Sequence, residues 1–310
     1  MKQSELSIVC PAYNESDNLP ELVKQISSNL GSKINYELII VDDGSTDQTI
    51  SILKKLGVKN KRLKYISLAR NFGHQKALLA GIFNASGNII ITMDSDLQHS
   101  PKYLIQMYKS IQNGADMVVM QKKNIKNESL FRAISRSSWY LFMSHFSGVR
   151  VIPNASDFRA YKRWIVDYIK DSNDSDPIIR ILSVQVAREI KIIPFVPSKR
   201  FAGLSKYTLK KLMKFAWDGV IQYSTLPIKL FFVMGIILIV ISSAYSLYAV
   251  VERVVNPSSS SGGFTSIFLF MTLSNSMMIT FLGFLGMKLV RLEAEVKKRP
   301  MFVIREKFNF

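Results

Sequence analysis

Two aspartates spaced two residues apart carry the clearest chemical signal in the sequence. Asp94 and Asp96 follow an apolar run, 88–93, and Gln98 comes two residues later. Where an extended segment ends, carboxylates at i and i+2 can face the same side and share one hard divalent cation, with the Gln98 amide adding an oxygen. Such a cation, Mg²⁺ or Mn²⁺, takes its remaining ligands from water and a diphosphate. The alternative is that Asp94 and Asp96 only cap a helix that begins near Pro101.

A second acidic pair stands after another apolar run. Asp42 and Asp43 precede Gly44 and Ser45, a pattern typical of a turn followed by a helix cap. A buried carboxylate here could instead accept hydrogen bonds from a base N–H or a ribose hydroxyl. The sequence has no G-x-x-x-x-G-K-[ST] loop, and no G-x-G-x-x-G follows the first predicted strand, which excludes P-loop and dinucleotide-type phosphate sites. Diphosphate charge must therefore be met by a metal ion and basic side chains.

The elements that must position these carboxylates alternate between strand and helix over the first 125 residues. Apolar runs predict strands and amphipathic stretches predict helices: strands 6–12, 37–41, 63–68, 88–93 and 116–120, and helices 18–30, 46–56, 74–85 and 101–113. That order predicts an α/β fold with a mostly parallel sheet and ligands at the carboxyl ends of the strands. Polar segments follow the first four strands and should line one crevice: 11–15, 42–45, 70–74 and 94–98.

The net charge limits the partners that the chain can have. The 310 residues include 41 Lys and Arg against 23 Asp and Glu, a formal charge of +18 that suits nucleic acid, nucleotide phosphates or an acidic membrane face. The excess positive charge lies largely beside two uncharged runs, and the sequence contains no known nucleic-acid-binding motif. We therefore expect no nucleic-acid partner. The single Cys10 excludes a disulfide framework, and the three histidines form no zinc-ligand pattern. The first 15 residues do not resemble a signal peptide.

Two uncharged runs in the last third predict membrane helices. Residues 230–251 and 264–287 span 22 and 24 residues, enough to cross a bilayer core of ~30 Å. The alternative is a pair of buried core helices. Basic flanks, net +6 over 199–229 and +4 over 288–307, predict that both ends of the chain stay cytosolic. Polar residues in the second run predict contact with the other helix or with a second copy, hence a homo-oligomer: Thr272, Ser274, Asn275, Ser276 and Thr280.

Two further stretches have the pattern of amphipathic helices. Over 206–224, apolar residues recur at 3,4 spacing while lysines take the other side. Such a helix lies in the membrane interface with Trp217 at headgroup depth, or else packs on the domain. The stretch 128–146, with Arg132 and Arg136 among apolar residues, leaves the same two interpretations open.

Four motifs together resemble those of glycosyltransferase family 2 enzymes with a GT-A fold: SIVCPAYNE at 7–15, VDDGS at 41–45, LARNFGHQ at 68–75 and DSDLQ at 94–98. Later features narrow the resemblance to the polyprenyl-phosphate glycosyltransferases, which include bactoprenol glucosyltransferases, the aminoarabinose transferase and dolichyl-phosphate mannose synthases. These features are SDFR at 156–159, RFAGLSKY at 200–207 and the closing pair of apolar runs. The resemblance covers nearly the whole chain, with the motifs in order.

The resemblance implies a role for each matching residue. The nucleoside would be held by Pro11, Tyr13, Glu15 and Asp43, with Asp94 at the sugar or phosphate. Asp96 and Gln98 would bind the metal beside Asp94, and Asp157 would take the place of the proposed catalytic base. Another interpretation of Asp157 is a strand-end carboxylate paired with Arg159. The acceptor phosphate would be met by basic and hydroxyl groups: Arg132, Arg136, Arg200, Ser205 and Lys206.

The sequence departs from the family pattern at four places. Ser95 stands where the family often has Ala, and His99 where it has an acidic residue or Pro. Ser156 replaces a Gly, and 286–288 reads Gly-Met-Lys instead of a common Gly-Glu-Tyr. These departures bear on donor or acceptor preference more than on reaction type.

The implied reaction is an inverting, metal-dependent transfer of a hexose to undecaprenyl phosphate on the cytosolic membrane face, for cell-envelope glycosylation. Glucose from UDP-glucose is the first choice of donor, with GDP-mannose or a modified UDP-sugar as the alternative. The metal offsets the charge that grows on the leaving diphosphate. The lipid phosphate, with a second pKa of about 6, is largely ionised at neutral pH and needs a general base less than a hydroxyl does. Single in-line attack predicts inversion at the anomeric carbon.

Two other functions are alternatives to this transfer reaction. A processive polysaccharide synthase shares the nucleotide-sugar domain but needs a channel and usually a Gln-x-x-Arg-Trp motif; here Ala160 stands at the Gln position before Arg163 and Trp164. A non-catalytic membrane scaffold would keep the fold without needing Asp94, Asp96 and Asp157 together.

The predicted organisation has four parts. They are a cytosolic GT-A catalytic domain at 1–204, a juxtamembrane amphipathic helix at 205–226, a transmembrane hairpin at 227–290 with spans about 228–251 and 264–287, and a basic cytosolic tail at 291–310. The chain is therefore expected to be a multi-pass protein of the plasma or inner membrane, with its catalytic domain and C-terminus in the cytoplasm.

Overall fold

The computed structural model describes residues 4–31, 33–123, 152–172, 174, 177–198, 226–255, 263–297 and 299–310. Its elements up to the fifth strand are β1 (Leu6–Ala12), α1 (Leu19–Leu30), β2 (Tyr36–Asp42), α2 (Thr49–Lys59), β3 (Leu63–Leu68), α3 (His74–Asn84), β4 (Ile89–Thr92), α4 (Leu104–Gln112) and β5 (Met117–Lys122). Those that follow are β6 (Ala155–Lys162), α5 (Arg163–Asp171), α6 (Ile179–Val186), β7 (Ile190–Phe195), α7 (Leu226–Val255), α8 (Gly263–Lys297) and β8 (Ile304–Phe308). The chain divides into two compact units, one with the sheet and one with α7 and α8.

The eight strands form one mixed sheet in the order β7-β5-β6-β4-β1-β2-β3-β8. The pairs β1–β2, β1–β4, β2–β3 and β5–β7 are parallel, whereas β4–β6, β5–β6 and β3–β8 are antiparallel. Every residue of β1, β2 and β4 is buried, as expected for strands covered on both faces. The predicted α/β fold with a mostly parallel sheet is confirmed.

The two faces of the central strands pack on different helices. Ile8 and Cys10 of β1 belong to a core that includes Leu22 of α1 and Leu104 of α4. On the opposite face, α3 approaches β1 so closely that a Cβ at Gly81 would meet Val9 Cγ1 at 2.3 Å. Alternate strand residues therefore anchor helices on both sides, and the strand ends are left for the polar segments.

Predicted and observed element boundaries differ by a few residues. β2 extends one residue beyond the predicted strand 37–41 at each end, whereas β5 begins one residue later and ends two residues later than the predicted strand 116–120. The helix expected near Pro101 begins as a single 3₁₀ turn, Pro101–Tyr103, which leads into α4 and has Ser100 at its N-cap position. The interpretation of Asp94 and Asp96 as caps of this helix is therefore wrong, because they lie several residues upstream of that cap.

The strand β8 was missed in the sequence, where 291–310 is predicted only as a basic tail. It pairs antiparallel with β3 from Leu68↔Ile304 to Tyr65↔Phe308 and closes that edge of the sheet. Its exposed Arg305 and Lys307 alternate with less exposed neighbours, and the charge of this short run hides the period-2 pattern.

The second unit consists of the two long helices. Within the part of the chain that the structure describes, one helical segment, Phe270–Val290, is long and apolar enough to cross a membrane, with a mean hydropathy of 1.4. A shorter apolar stretch lies at Val233–Tyr245 in α7. The Phe231 ring lies 5.4 Å from the Phe281 ring, so the two helices pack on each other. Two spans at 228–251 and 264–287 remain a prediction.

Hydroxyl groups in α8 bond to their own helix. Ser274 Oγ donates to the Met271 carbonyl at 3.1 Å, and Thr280 Oγ1 donates to the Ser276 carbonyl at 2.8 Å. These two groups are satisfied without a neighbouring chain. The predicted homo-oligomer is therefore not required by them.

Candidate active site

The polar segments after β1, β2 and β4 meet at one edge of the sheet. The Asn14 N–H donates to Ser45 Oγ at 2.9 Å, which joins the segment after β1 to the segment after β2. Ser95 Oγ donates to the Pro11 carbonyl at 2.9 Å, which joins the segment after β4 to the end of β1. The crevice predicted from the strand order is thus assembled by short contacts between segments far apart in sequence.

Asp43 holds the loop that follows β3. Its Oδ1 accepts the Phe72 N–H at 2.7 Å and its Oδ2 accepts the Gly73 N–H at 2.9 Å. Burial raises the pKa of this carboxyl, and the two N–H groups oppose that rise. Gly44 has φ +67°, and a Cβ there would stand 2.4 Å from the Arg70 carbonyl carbon. The acidic pair after β2 therefore fixes the loop that leads into His74.

Asp94 lies between two histidines. Its backbone N–H donates to His99 Nδ1 at 3.0 Å, so that nitrogen is unprotonated and the ring proton is on Nε2. His74 Nε2 lies 3.5 Å from Asp94 Oδ1. Burial lowers the pKa of His99. Burial would also lower the pKa of His74, but the Asp157 and Asp94 carboxylates raise it.

Asp96 and Gln98 belong to a strained turn. Leu97 between them has φ +63°, a conformation rare for a residue with a branched side chain. Asp96 Oδ1 accepts the Gln98 N–H at 3.1 Å, and the Gln98 carbonyl accepts the Ser198 N–H at 3.1 Å. The turn keeps Asp96 buried while Gln98 is partly exposed.

The antiparallel pairing of β4 with β6 brings Asp157 to the same edge. Thr92 pairs with Arg159 in the register, and Thr92 Oγ1 donates to the Asp157 carbonyl at 2.6 Å. The Asp157 carboxylate is 7% exposed and receives both Nε and Nη2 of Arg180. Burial would raise the pKa of Asp157, but Arg180 and His74 hold it well below its usual range. The carboxylate of Asp157 is therefore paired with Arg180, and the alternative interpretation, a pair with Arg159, is wrong.

Two of the departures from the family pattern contact each other. His99 Nε2 lies 2.8 Å from Ser156 Oγ, which also accepts the Phe158 N–H at 3.0 Å. The His99 ring is buried and stacks on Phe158 at 5.0 Å between ring centroids. Because His99 carries the proton on Nε2, the ring donates to Ser156 while it accepts from Asp94. This pair links the turn after β4 to the strand that carries Asp157.

Sequence reasoning assigned no role to three residues of this cluster. They are His74, Gln75 and Arg180, of which the first two end the LARNFGHQ motif. His74 Nε2 lies 3.3 Å from Asp157 Oδ2, and Gln75 Nε2 donates to the same oxygen at 3.4 Å. Nothing in the local pattern around Arg180 marks it, because its partner is 23 residues away on another element.

The nucleoside-binding candidates Pro11, Tyr13 and Glu15 lie in and after the last residues of β1. Pro11 is buried in β1, and its carbonyl accepts a hydrogen bond from Ser95. Tyr13 and Glu15 are partly exposed in the segment that follows, and the Glu15 N–H donates to Thr49 Oγ1 at 3.0 Å. The acceptor-phosphate candidates all lie outside the described residues, as do the two predicted amphipathic helices: Arg132, Arg136, Arg200, Ser205 and Lys206.

The carboxylates at the end of β4 fit a divalent cation. Asp94 Oδ1 is buried and has no hydrogen bond, and Asp96 Oδ1 accepts the Gln98 N–H two residues further along the same turn. An all-oxygen donor set of this kind suits Mg²⁺ or Mn²⁺. Among the described residues, no group of three or more His, Cys, Asp or Glu is placed to hold a metal alone. Such a cation needs only one or two carboxylates when substrate phosphates complete its shell.

Comparison with protein families gives one match over most of the sheet unit. The family described as Glycosyl transferase family 2 matches residues 7–169, which run from the second residue of β1 past the end of β6 and include Asp94, His74 and Asp157 but not Arg180. The match covers more than half of the chain.

Three similar proteins extend this likeness over nearly the full length. An uncharacterized glycosyltransferase of Bacillus subtilis, YkcC, is 30% identical over 98% of this chain and 94% of its own. The prophage-derived bactoprenol glucosyl transferase of Shigella flexneri is 28% identical over 97% of this chain and 98% of its own. The undecaprenyl-phosphate 4-deoxy-4-formamido-L-arabinose transferase of Klebsiella pneumoniae is 28% identical over 97% of this chain and 93% of its own.

Proposed function

We propose that this chain, which belongs to glycosyl transferase family 2, transfers a hexose from a nucleotide sugar to a polyprenyl phosphate. Its α/β sheet unit has the GT-A-like fold. The single observation that carries this proposal is the convergence of Asp94 and Asp157, through His74, at the carboxyl ends of the parallel strands. Ligands of open α/β sheets bind at that edge. Two carboxylates at that edge are better explained as part of a site for a sugar diphosphate than as part of a purely structural ion pair.

The acceptor is inferred from the relatives and from acid–base chemistry. Two full-length relatives are named for transfer to bactoprenol or undecaprenyl phosphate, and they carry different sugars. Their shared acceptor supports a polyprenyl phosphate here, whereas their different sugars leave the donor open. Glucose from UDP-glucose is the proposed donor, with GDP-mannose or a modified UDP-sugar as the alternative. A lipid phosphate with a second pKa of about 6 is already a nucleophile at neutral pH.

The proposed roles of the site residues come from the family resemblance, and their positions at one edge of the sheet support them. Pro11, Tyr13, Glu15 and Asp43 are proposed to hold the nucleoside, and Asp94 to contact the sugar or the phosphate. Asp96 and Gln98, with Asp94, would hold Mg²⁺ or Mn²⁺, which supplies positive charge at the leaving diphosphate when bound. Attack by the acceptor on the face opposite the diphosphate inverts the anomeric carbon. No second nucleophile is needed for that outcome.

The membrane assignment rests on the lipid acceptor and on α7 and α8. A polyprenyl phosphate stays in the bilayer, so the site must work at headgroup height. We propose that two spans, at about 228–251 and 264–287, anchor the chain in the plasma membrane with the catalytic domain cytoplasmic. Arg132, Arg136, Arg200, Ser205 and Lys206 are proposed to bind the acceptor phosphate, on the basis of the family resemblance alone.

The proposal is tested by direct transfer. Purified full-length protein in detergent is incubated with undecaprenyl phosphate, Mg²⁺ or Mn²⁺, and a panel of radiolabelled nucleotide sugars. Label that moves into the organic phase identifies the donor, and the anomeric configuration of the product, read by NMR, identifies inversion. Asp94→Asn should abolish transfer, whereas Asp167→Asn, at an exposed carboxylate on α5, should not. Absence of transfer with every donor would favour the non-catalytic scaffold.

A further inference from the structure

The Asp157 carboxylate is fully occupied by donors within the protein. Arg180 meets it as a fork, with Nε on Oδ1 and Nη2 on Oδ2. Gln75 Nε2 at 3.4 Å and His74 Nε2 at 3.3 Å also face Oδ2. Bidentate guanidinium–carboxylate pairs fix the orientation of both groups. Asp157 is therefore held in one rotamer, with its more crowded oxygen toward His74.

Arg180 is itself anchored. It is the second residue of α6, and its carbonyl accepts a hydrogen bond from Arg159 Nη1 at 3.2 Å. Arg159 is a neighbour of Asp157 on β6 and also bonds the Ser156 carbonyl through Nε at 2.8 Å. The start of α6 is thus bonded to β6, the strand that carries Asp157. The backbone from which the Arg180 side chain extends is therefore fixed relative to Asp157.

This arrangement makes Asp157 a poor base. Burial would raise the pKa of its carboxyl, yet Arg180 and His74 hold that pKa well below the usual range. A general base works best when its pKa is near the working pH. A carboxylate whose oxygens already accept hydrogen bonds from Arg180 and Gln75 also has little room to receive a proton from an incoming acceptor.

We propose that Arg180 is a positioning residue: it locks Asp157 as a fixed acceptor that holds His74 against Asp94, and it leaves the reaction without a protein base. Resting on the proposed function, this inference narrows the acceptor to nucleophiles that arrive ionised, such as a phosphate monoester. An oxygen of the phosphate dianion forms a bond to the anomeric carbon, while the bond from that carbon to the β-phosphate oxygen breaks. The electron pair leaves with the nucleoside diphosphate, and no proton is transferred.

The test compares Arg180→Ala with the wild-type protein in the transfer assay. Loss of the fork should lower kcat on the order of 100-fold, the cost of misplacing site groups, with little change in the KM for the nucleotide sugar. If Asp157 were instead the general base, the opposite result is expected. Without Arg180 the carboxylate would become more basic, and kcat would be retained or increased.

Guanidinium ion added in the assay supplies a readout that a merely structural role would not give. The Arg180 side chain is 34% exposed, so a small cation can enter the space that Arg180→Ala creates. We expect millimolar guanidinium to raise the kcat of Arg180→Ala at least 10-fold, and an equal concentration of sodium to leave it unchanged. Arg62→Ala, at a remote arginine bonded to the Gly31 carbonyl, should keep wild-type activity and show no such response.

A second variant covers the case in which Arg180→Ala does not fold. Arg180→Lys keeps the charge but loses the fork, and it should lower kcat at least 10-fold while the protein stays folded by circular dichroism. Wild-type kcat in either folded variant, or a loss in folded Arg180→Ala that guanidinium does not restore, would overturn the inference. Failure of the proposed function is distinct, because it appears as an inactive wild-type protein.

Discussion

The Tyr65 hydroxyl donates a 2.7 Å hydrogen bond to Glu306 Oε1, across 241 residues of sequence. The Tyr65 ring also stacks on Phe308, with centroids 5.2 Å apart and planes inclined by 13°. Next to this contact, the Ala69 N–H donates to the Val303 carbonyl at 2.9 Å, at the start of the loop that Asp43 holds. The C-terminal strand therefore supports the segment that delivers His74 to the site.

Phe308→Ala is expected to destabilise the sheet unit by about 1–2 kcal/mol, because it removes the stacked pair and the packing of the ring against the hydrophobic core. The measurement is the free energy of unfolding from denaturant titration in detergent. Val303→Ala, at a side chain 49% exposed, is the matched control and should change stability by less than about 0.5 kcal/mol. Equal effects of the two variants would contradict a stabilising role for β8.

Gly44→Ala is expected to cost more stability than Gly114→Ala. Both glycines have positive φ, +67° and +107°, but a Cβ at Gly114 meets nothing within 4 Å, whereas one at Gly44 would collide with the Arg70 backbone. The control isolates the conformational strain, about 1–3 kcal/mol. The extra loss of unfolding free energy in Gly44→Ala over Gly114→Ala measures the cost of the collision between residue 44 and the Arg70 backbone. Equal losses would show that the loop after β3 can move away freely.

Asp96→Ala is expected to remove the dependence of transfer on divalent cations and to lower kcat by a factor on the order of 10²–10³. Binding of Mn²⁺ in the presence of UDP, followed by electron paramagnetic resonance, gives a readout independent of turnover and should weaken in parallel. Asp167→Ala, at an exposed carboxylate, is the control. Undiminished Mn²⁺ binding in Asp96→Ala would remove the metal assignment.

Ser156→Ala is expected to destabilise the protein by about 1–3 kcal/mol, because the buried His99 Nε2–H loses its acceptor. In a His99→Phe background, which keeps a ring beside Phe158 but has no N–H, the same change should cost less. The difference is the coupling between the two side chains, obtained from a double-mutant cycle of unfolding free energies. Strict additivity would mean that the two departures from the family pattern are independent.

Glu37→Gln is expected to lower stability at pH 7 by about 1–3 kcal/mol, because Glu37 is buried against Lys64 Nζ at 2.6 Å. Burial would raise the pKa of Glu37, but Lys64, Ser7 and Ser86 hold it below its usual value. A lowered folded-state pKa contributes stability above the unfolded value of about 4.3, and that contribution is lost as the pH falls through the folded value.

Unfolding titrations between pH 7 and pH 3 provide the measurement for Glu37. The deficit of Glu37→Gln should shrink as the wild-type protein loses its ion pair in acid. Glu21→Gln, on the partly exposed surface of α1, should show no comparable change. A deficit that stays constant over this range would contradict the lowered pKa of Glu37.

Local sequence patterns are enough to predict the alternation of strands and helices and the polar residues at the strand ends. Apolar runs with period-2 or 3.6 patterns predict elements locally, and the carboxyl ends of parallel strands share one edge whatever the strand order. The positions of Asp43, Asp94 and Asp96 at that edge therefore follow from local pattern alone. The motifs around them also indicate the family.

The contacts between distant groups come from the way the chain folds. Asp157 lies beside His74 and the end of β4 because β6 is antiparallel to β4, and Arg180 contacts Asp157 because α6 begins next to β6. Such pairings depend on strand order and register, which no local pattern contains. The strand β8 escaped prediction for a related reason: its charged residues match a solvated tail, and the free energy that orders it comes from contacts with Tyr65 and β3 that exist only in the folded sheet.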